Sequence, residues 1–416
     1  MLPALQTLAD IEDHAVPVLV EALKDPKSRY WAEVALAEIG PEAAPAVSQL
    51  AAVVADGGPE ERLQAILALA AIGEPAAAAA PQLVATLESQ ESQESFLRMA
   101  AAFALGSIRA AAADAALEKA VNDPQEFLAT TAAWARAKIH PDDAALRADA
   151  VARLKKALQA KEPRMRKAAA SGLSDLAERL DDASRQEVAV ELAELLDDTD
   201  EAVGMAAGGG LVRLGGVAVE HLRKRLAEPE HRRQALGVLA AIGAAAKAAV
   251  PDLEAALADP DEACSTEAAV ALGALGADAA AAVPALQKLL ADGVAPGIRY
   301  TAAYALGRIG SAAKPALARL LELSKSDDEI MATVAVWAAL KIEPAEAAVV
   351  ETAIPLLRRA LRGDRDLVRL EAAVSLGDIG KAAGSAVPIL ELVAEEDSVP
   401  AVRSAAAAAL AKIRTP

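Results

Sequence analysis

Apolar residues recur along this chain in a phrase of the form R-x-x-A-A-x-A-L-x-x-I-G. Clear copies are Arg98–Ile108 (RMAAAFALGSI), Arg299–Gly310 (RYTAAYALGRIG) and Arg369–Gly380 (RLEAAVSLGDIG). At about 100° per residue, the third, seventh and tenth positions after the Arg share one face, so each copy predicts a helix with a buried stripe. The closing apolar residues are Ile39, Ile72, Ile108, Ile139, Leu176, Leu214, Ile242, Leu275, Ile309, Ile342, Ile379 and Ile413, twelve marks with a mean spacing of 34 residues, (413 − 39)/11. A repeat of that length predicts a solenoid in which each unit covers its neighbour's apolar face. No segment alternates with period two, so no sheet is expected.

Each repeat reads as two helices. The first follows the closing mark and often carries Pro near its start, as in Val16-Pro17, Val250-Pro251, Val283-Pro284 and Val387-Pro388. Proline is tolerated there because a first-turn N–H has no acceptor within the helix. An acidic or Pro-containing turn follows, as in Asp25-Pro26, Asp123-Pro124, Asp259-Pro260 and Asp327-Asp328. The second helix runs to the closing mark, where Gly is expected to end it in a left-handed conformation.

These phrases resemble short HEAT repeats of the type known from bilin (phycobilisome) lyases, and the resemblance covers essentially the whole chain. Large aromatic and Leu signposts at fixed places, which a tetratricopeptide repeat of similar length carries, are missing. The expected fold is an all-α, right-handed α-solenoid (superhelix) of about twelve two-helix HEAT-like repeats. Trp134 and Trp337 stand 203 residues apart, as do Ile39 and Ile242, or Leu176 and Ile379. The chain therefore reads as a duplication, with six repeats in 1–214 (and a partial repeat at 1–10) and six in 215–416. Leu2–Asp10 matches Val283–Asp292 with one deletion, so the chain is expected to begin inside a repeat, as a domain cut from a longer protein would. Gly208-Gly209-Gly210 and Gly215-Gly216 mark the seam. Glycine costs about 1 kcal/mol in a helix relative to Ala, so the seam is either a flex point or a place where helices approach closely.

Composition narrows the function. Lys and Arg number 42 against 60 Asp and Glu, a net charge of -18, which disfavours a nucleic-acid binder. One cysteine excludes a disulfide scaffold and suits a reducing compartment, so a cytoplasmic location is favoured, with an extracytoplasmic bacterial location as the alternative if the chain is an excised domain. No basic-then-apolar leader opens the chain, and its apolar stretches are broken by Pro, Gly or charge, so no membrane insertion is expected.

Ten positions before the closing mark, eight repeats carry an arginine: Arg29, Arg62, Arg98, Arg166, Arg232, Arg299, Arg369 and Arg403. These guanidiniums are expected to tie acidic turns or helix-end carbonyls, with a row of donors for an acidic partner as the other reading. Ala129, Gly204, Ser265 and Ala332 interrupt the ladder. Five residues further on, the side chain should point away from the buried stripe. Phe103, Trp134, Tyr304 and Trp337 occupy that position, forming two matching pairs, and Tyr300 lies one turn from Tyr304. They either fill space opposite small residues or form hot spots for a partner. HEAT resemblance implies that this helix lines a concave groove, and the candidate binding set is Phe103, Trp134, Tyr300, Tyr304, Trp337, Arg98 and Arg299.

Basic clusters at Arg147–Lys167, Arg223–Arg233 and Arg358–Arg369 read as solvated faces or docking points for acidic segments. Catalytic constellations are missing. His14, His140, His221 and His231 make no metal-binding pair, the His-Glu dipeptides of the HEAT-type deoxyhypusine hydroxylase do not occur, and Cys264 reads as a buried thiol. No catalytic residue, metal or cofactor is assigned. The sequence points to a non-enzymatic scaffold holding a protein or peptide partner. A bilin lyase-like chromophore-handling protein and a module that self-associates end to end are the alternatives.

Overall fold

In a computed structural model, the structure describes residues 12–89 and 95–415. The regular structure in them is helical, and no strand occurs among the described residues. The first eleven residues, with the matching stretch that suggested a partial repeat, lie outside them. The chain divides into two compact units, Met1–Gly210 and Leu211–Pro416.

Within each unit the helices come in pairs, here called A and B. The B helices of the first unit include Arg29–Ile39, Pro59–Ile72, Ser95–Ser107, Glu126–Ile139 and Pro163–Leu176, and those of the second include Arg232–Ile242, Glu262–Leu275, Pro296–Ile309, Glu329–Ile342 and Asp366–Ile379. B packs on B: Ser95–Ser107 lies between Pro59–Ile72 and Glu126–Ile139, and Pro296–Ile309 lies between Glu262–Leu275 and Glu329–Ile342. Small side chains make this approach possible. Ala65, Ala68, Ala101, Ala104, Ala302 and Ala305 are fully buried between Leu and Ile residues of the stripe, including Leu69, Leu105 and Leu306. Dense packing of many small contacts, rather than a large aromatic core, supplies the cohesion. The all-α solenoid is built this way.

Two local features differ from expectation. First, the glycine ending several B helices has positive φ but not the left-handed ψ. Gly40 is at φ 73, ψ -134 and Gly310 at φ 75, ψ -141. This mirror-image extended region is open only to Gly, a tighter requirement than a left-handed cap. In one repeat that lacks the glycine, Arg109 takes φ 48, whereas His140 and Glu343 end their helices at φ -113 and -142. Second, the A helix does not start at the closing mark. A 3-10 segment intervenes, such as Gly40–Ala46, Gly276–Ala282 or Gly310–Ala316. Three residues per turn bring every third side chain onto one line. That line is alanine: Ala43 and Ala46, Ala279 and Ala282, Ala313 and Ala316, all without exposure.

The arginine ladder ties the stack. Arg98 donates through Nε to the Leu87 carbonyl at 3.0 Å and through a terminal nitrogen to Asp123 at 2.7 Å. Arg29 bridges the Leu23 carbonyl (2.8 Å) and Glu61 (3.0 Å). Arg166 and Arg369 each grip one carboxylate, Asp198 and Asp397, with two nitrogens. At the interrupted position Ser265, the hydroxyl donates to the Leu257 carbonyl at 2.8 Å, replacing the arginine's bond to its own A helix. The bonds to Arg166 and Arg369 are the main influence holding the carboxyls of Asp198 and Asp397 below the ordinary carboxylate range.

At the seam, Glu201–Leu214 is one regular helix. A methyl group on Gly204 would meet the Leu196 carbonyl oxygen at 2.8 Å, and one on Gly210 would meet Leu192 Cδ1 at 2.6 Å. Close approach accounts for these two glycines, whereas Gly209 faces open space.

Candidate functional site

The outer face of the B helices is exposed. Leu67, Phe103, Val270, Tyr304 and Val374, all five residues beyond the ladder position, are exposed large apolar side chains. The two tryptophans at the same position are the exceptions, only 4% (Trp134) and 8% (Trp337) exposed. A glycine on the preceding B helix explains each. A Cβ on Gly106 would lie 2.7 Å from Trp134 Cζ3, and one on Gly307 2.6 Å from Trp337 Cζ3. The missing side chain lets the indole lie flat against that helix. There it stacks beneath the preceding aromatic: Phe103 on Trp134 at 5.2 Å and 14°, Tyr304 on Trp337 at 4.9 Å and 10°. A lysine one turn on faces each indole, Lys138 at 5.7 Å and Lys341 at 6.0 Å, within cation–π range.

The two modules share this skeleton and differ in how the indole nitrogen is treated. Trp337 Nε1 donates to Glu371 on the next B helix at 3.1 Å. Trp134 Nε1 is buried and has no hydrogen-bond partner among the described residues. The residue 203 positions before Glu371 is Ala168, which cannot accept. Beside Trp134 a cavity of about 260 Å³ opens, lined by Phe103, Phe127, Lys167, Ala168, Ser171 and Gly172 among others. Lys167 and Arg164, also on the cavity wall, are exposed, and their counterparts at the same offset are Leu370 and Leu367. A wider groove of about 810 Å³ shares Phe127, Thr130 and Arg164 with the cavity and adds Phe96, Met99 and Met165.

The structure thus brings Phe103 to Trp134 and Tyr304 to Trp337. Tyr300, one turn away, donates its hydroxyl to Asp328, the carboxylate that also caps Ile330 and Met331. That bond draws the Tyr300 hydroxyl pKa up and the Asp328 carboxyl down. Arg98 is engaged by Leu87 and Asp123, as above. Arg299 stands 3.6 Å from Asp292, and its Nε is buried with no hydrogen-bond partner. Sequence reasoning missed Gly106, Gly307, Lys138, Lys341 and Glu371. A signal existed for the first four: Gly106 and Gly307 are both three residues after the exposed aromatic, and Lys138 and Lys341 both four after the tryptophan.

The remaining chemistry is sparse. Among the described residues, no group of three or more His, Cys, Asp and Glu is placed to hold a metal ion. Burial, together with Asp261, pushes the Cys264 thiol up to about 11, so it stays protonated at neutral pH. Many basic-cluster residues are ion-paired: Arg153 with Asp149, Lys155 with Glu187, Arg223 with Asp252, Arg359 with Glu329. Three stretches, Glu201–Leu226, Arg232–Ala256 and Glu262–Lys288, are long and apolar enough to cross a membrane by length and composition. Each is two helices broken at Gly215, Gly243 or Gly276, where φ is 60, 62 and 58. Neither half approaches the ~20 residues a continuous span needs.

Residues 219–296 match a family described as HEAT repeats, and residues 97–123 and 298–323 match the PBS lyase HEAT-like repeat. The latter two segments contain Phe103 and Tyr304. No curated protein matches the chain. Among solved structures, the karyopherin Kap121p bound to the SUMO protease Ulp1p is similar at a TM-score of 0.57 and 17% identity, over 97% of this chain and 49% of that one. Importin Beta is similar at 0.53 and 14%, over 96% of this chain and 67% of that one. Kap95p, in a structure with RanGDP, is similar at 0.57 and 12%, over 99% and 64%. The chain spans about half the length of the Kap121p chain. At these identities the likeness is one of fold: the chain carries HEAT repeats, including repeats of the PBS lyase type, stacked as an all-α solenoid.

Proposed function

We propose that this protein is a non-enzymatic scaffold that holds a protein or peptide on the outer face of its B helices. The observation that carries the reading is the pair of aromatic modules. Phe103 and Tyr304 leave 40% and 42% of their surface open while stacked on a buried tryptophan. An exposed aromatic on a rigid apolar base gains contact area on docking and loses little side-chain entropy. Among the solved structures named above, the karyopherin Kap121p has the SUMO protease Ulp1p bound, which agrees with the reading.

The test is a peptide array probed with the full chain, alongside Phe103→Ala and Tyr304→Ala. Both residues are surface-exposed, so each substitution should leave thermal stability within a few degrees. Loss of bound peptides in either variant supports the scaffold. An array on which wild type and both variants bind the same peptides equally, or none at all, contradicts it.

A further inference from the structure

We infer that the aromatic module of the first unit receives a carboxylate from an acidic segment of a partner protein, in the place that Glu371 fills within the second unit. This rests on the scaffold reading and specifies its ligand.

The second unit supplies the template. There the indole N–H of Trp337 ends on a carboxylate carried by the next B helix. In the first unit the tryptophan, its supporting glycine, its stacked aromatic and its lysine are all retained, but the carboxylate is replaced by Ala168. A buried donor left without a partner costs about 1–3 kcal/mol. The structure retains that cost at Trp134, where the ring is 4% exposed and Nε1 has no partner. Loss of the Glu side chain also leaves space. The cavity is bounded by Ala168, Ser171 and Gly172, and Trp134 Cδ1, the ring atom next to Nε1, faces Gly172. The cavity therefore lies beside the edge of the indole that carries Nε1, while Nε1 itself is covered.

Charge specifies what enters. Arg164 and Lys167 stand on the cavity wall, and neither forms an ion pair among the described residues. In the second unit Leu367 and Leu370 hold those positions, so the two cations accompany the missing carboxylate. Asp175 also lines the cavity but is itself engaged within the protein, and the rest of the chain's net charge of -18 acts at long range, where charges beyond about 10 Å are screened at physiological salt. The adjoining groove, with Phe96, Met99, Phe127 and Met165, suits apolar residues flanking the acid. Because Nε1 is closed to solvent, docking requires a rim side chain to swing aside, and Arg164 and Lys167 are long and exposed enough to do so.

The experiment uses the full chain and a peptide array in which a central Glu lies between apolar residues, each member paired with its Gln counterpart. Wild type should bind Glu members about tenfold more tightly than their Gln counterparts, about 1.4 kcal/mol. Ala168→Glu places the missing carboxylate within the protein. It should remove that preference and raise the melting temperature, so misfolding does not explain the loss. The Arg164→Leu/Lys167→Leu double variant should lose the preference without losing stability. Equal binding of Glu and Gln members, in a form that still depends on Phe103, would overturn this inference and leave the scaffold standing. Binding that ignores Phe103 altogether would remove the scaffold and the inference with it.

Discussion

Trp134 and Trp337 occupy equivalent places, on equivalent glycines, under equivalent aromatics, yet only one is complete within its own unit. Trp337 has Glu371 as acceptor, and its lysine, Lys341, reaches Asp378 at 3.3 Å, where Lys412 also bonds at 2.9 Å. Those two lysines outweigh burial and hold the Asp378 carboxyl below its ordinary range. Trp134 keeps the stack but, among the described residues, has an orphan N–H, a cavity and two cations without an ion pair. The shared glycines serve the fold, because they let a bulky ring lie between closely stacked helices, while the shared Phe103 and Tyr304 stay exposed. The unshared parts are where a partner has something to supply. Repetition gives an internal control here: where the two modules depart from one another, at Glu371 and Ala168, the difference asks for its own explanation.

The largest effect expected is the loss of either tryptophan. Trp134→Ala and Trp337→Ala should each cost about 3–5 kcal/mol of stability by denaturant titration, since both are nearly buried. Trp337→Ala should cost more, by about 1 kcal/mol, because it also removes a hydrogen bond to a charged group. A larger loss at Trp134 would break the comparison. Next come the glycines. Gly106→Ala and Gly307→Ala force a methyl against indole and helix backbone at 2.8 Å or less, and should each cost about 1–3 kcal/mol. Gly237→Ala, in a B helix with open space beside it, should instead stabilise by about 0.5–1 kcal/mol. The smallest effect concerns pH. Glu33 in the first unit has no exposed surface and no hydrogen-bond partner among the described residues, and burial raises its carboxyl to about 8. A carboxyl raised on folding stabilises at low pH and loses that contribution as pH rises from its unfolded value near 4.5 toward 8. Glu33→Gln should therefore gain stability on wild type as pH rises from 5 to 8, measured by thermal melts at the two pH values. Asp198 and Asp397 are depressed on folding and work in the opposite sense. Their contribution is complete above the unfolded value and disappears as pH falls through the folded one, so the melting temperature should drop below about pH 4.

The repeat length, the B helices and the arginine ties were legible because each rests on spacing within about one repeat. Ala-Leu-x-x-Ile followed by Gly signals a helix and its end wherever it occurs. The 3-10 segments were not legible, because alanines three apart suit an α-helix as well as a 3-10 turn. Burial of Trp134 and Trp337 was hidden for another reason. Their position on the helix predicts exposure, as it does for Leu67 or Val374, and only a glycine on the preceding B helix reverses it. Tyr300 was placed with Tyr304 by spacing alone, while its hydroxyl reaches across to Asp328 in the next repeat. The replacement of Glu371 by Ala168 was always visible as two letters, but it gained meaning only once Glu371 was seen to meet an indole.

The most direct measurement is of the tryptophan indole N–H resonances in the free protein, assigned by single Trp→Phe variants. A hydrogen-bonded indole proton resonates downfield of an unbonded one. Trp337 should lie downfield of Trp134, move upfield in Glu371→Ala, and leave Trp134 unmoved. A Trp134 signal as far downfield as that of Trp337, or a Trp337 signal indifferent to Glu371→Ala, would contradict the distinction between a self-sufficient module and an open one.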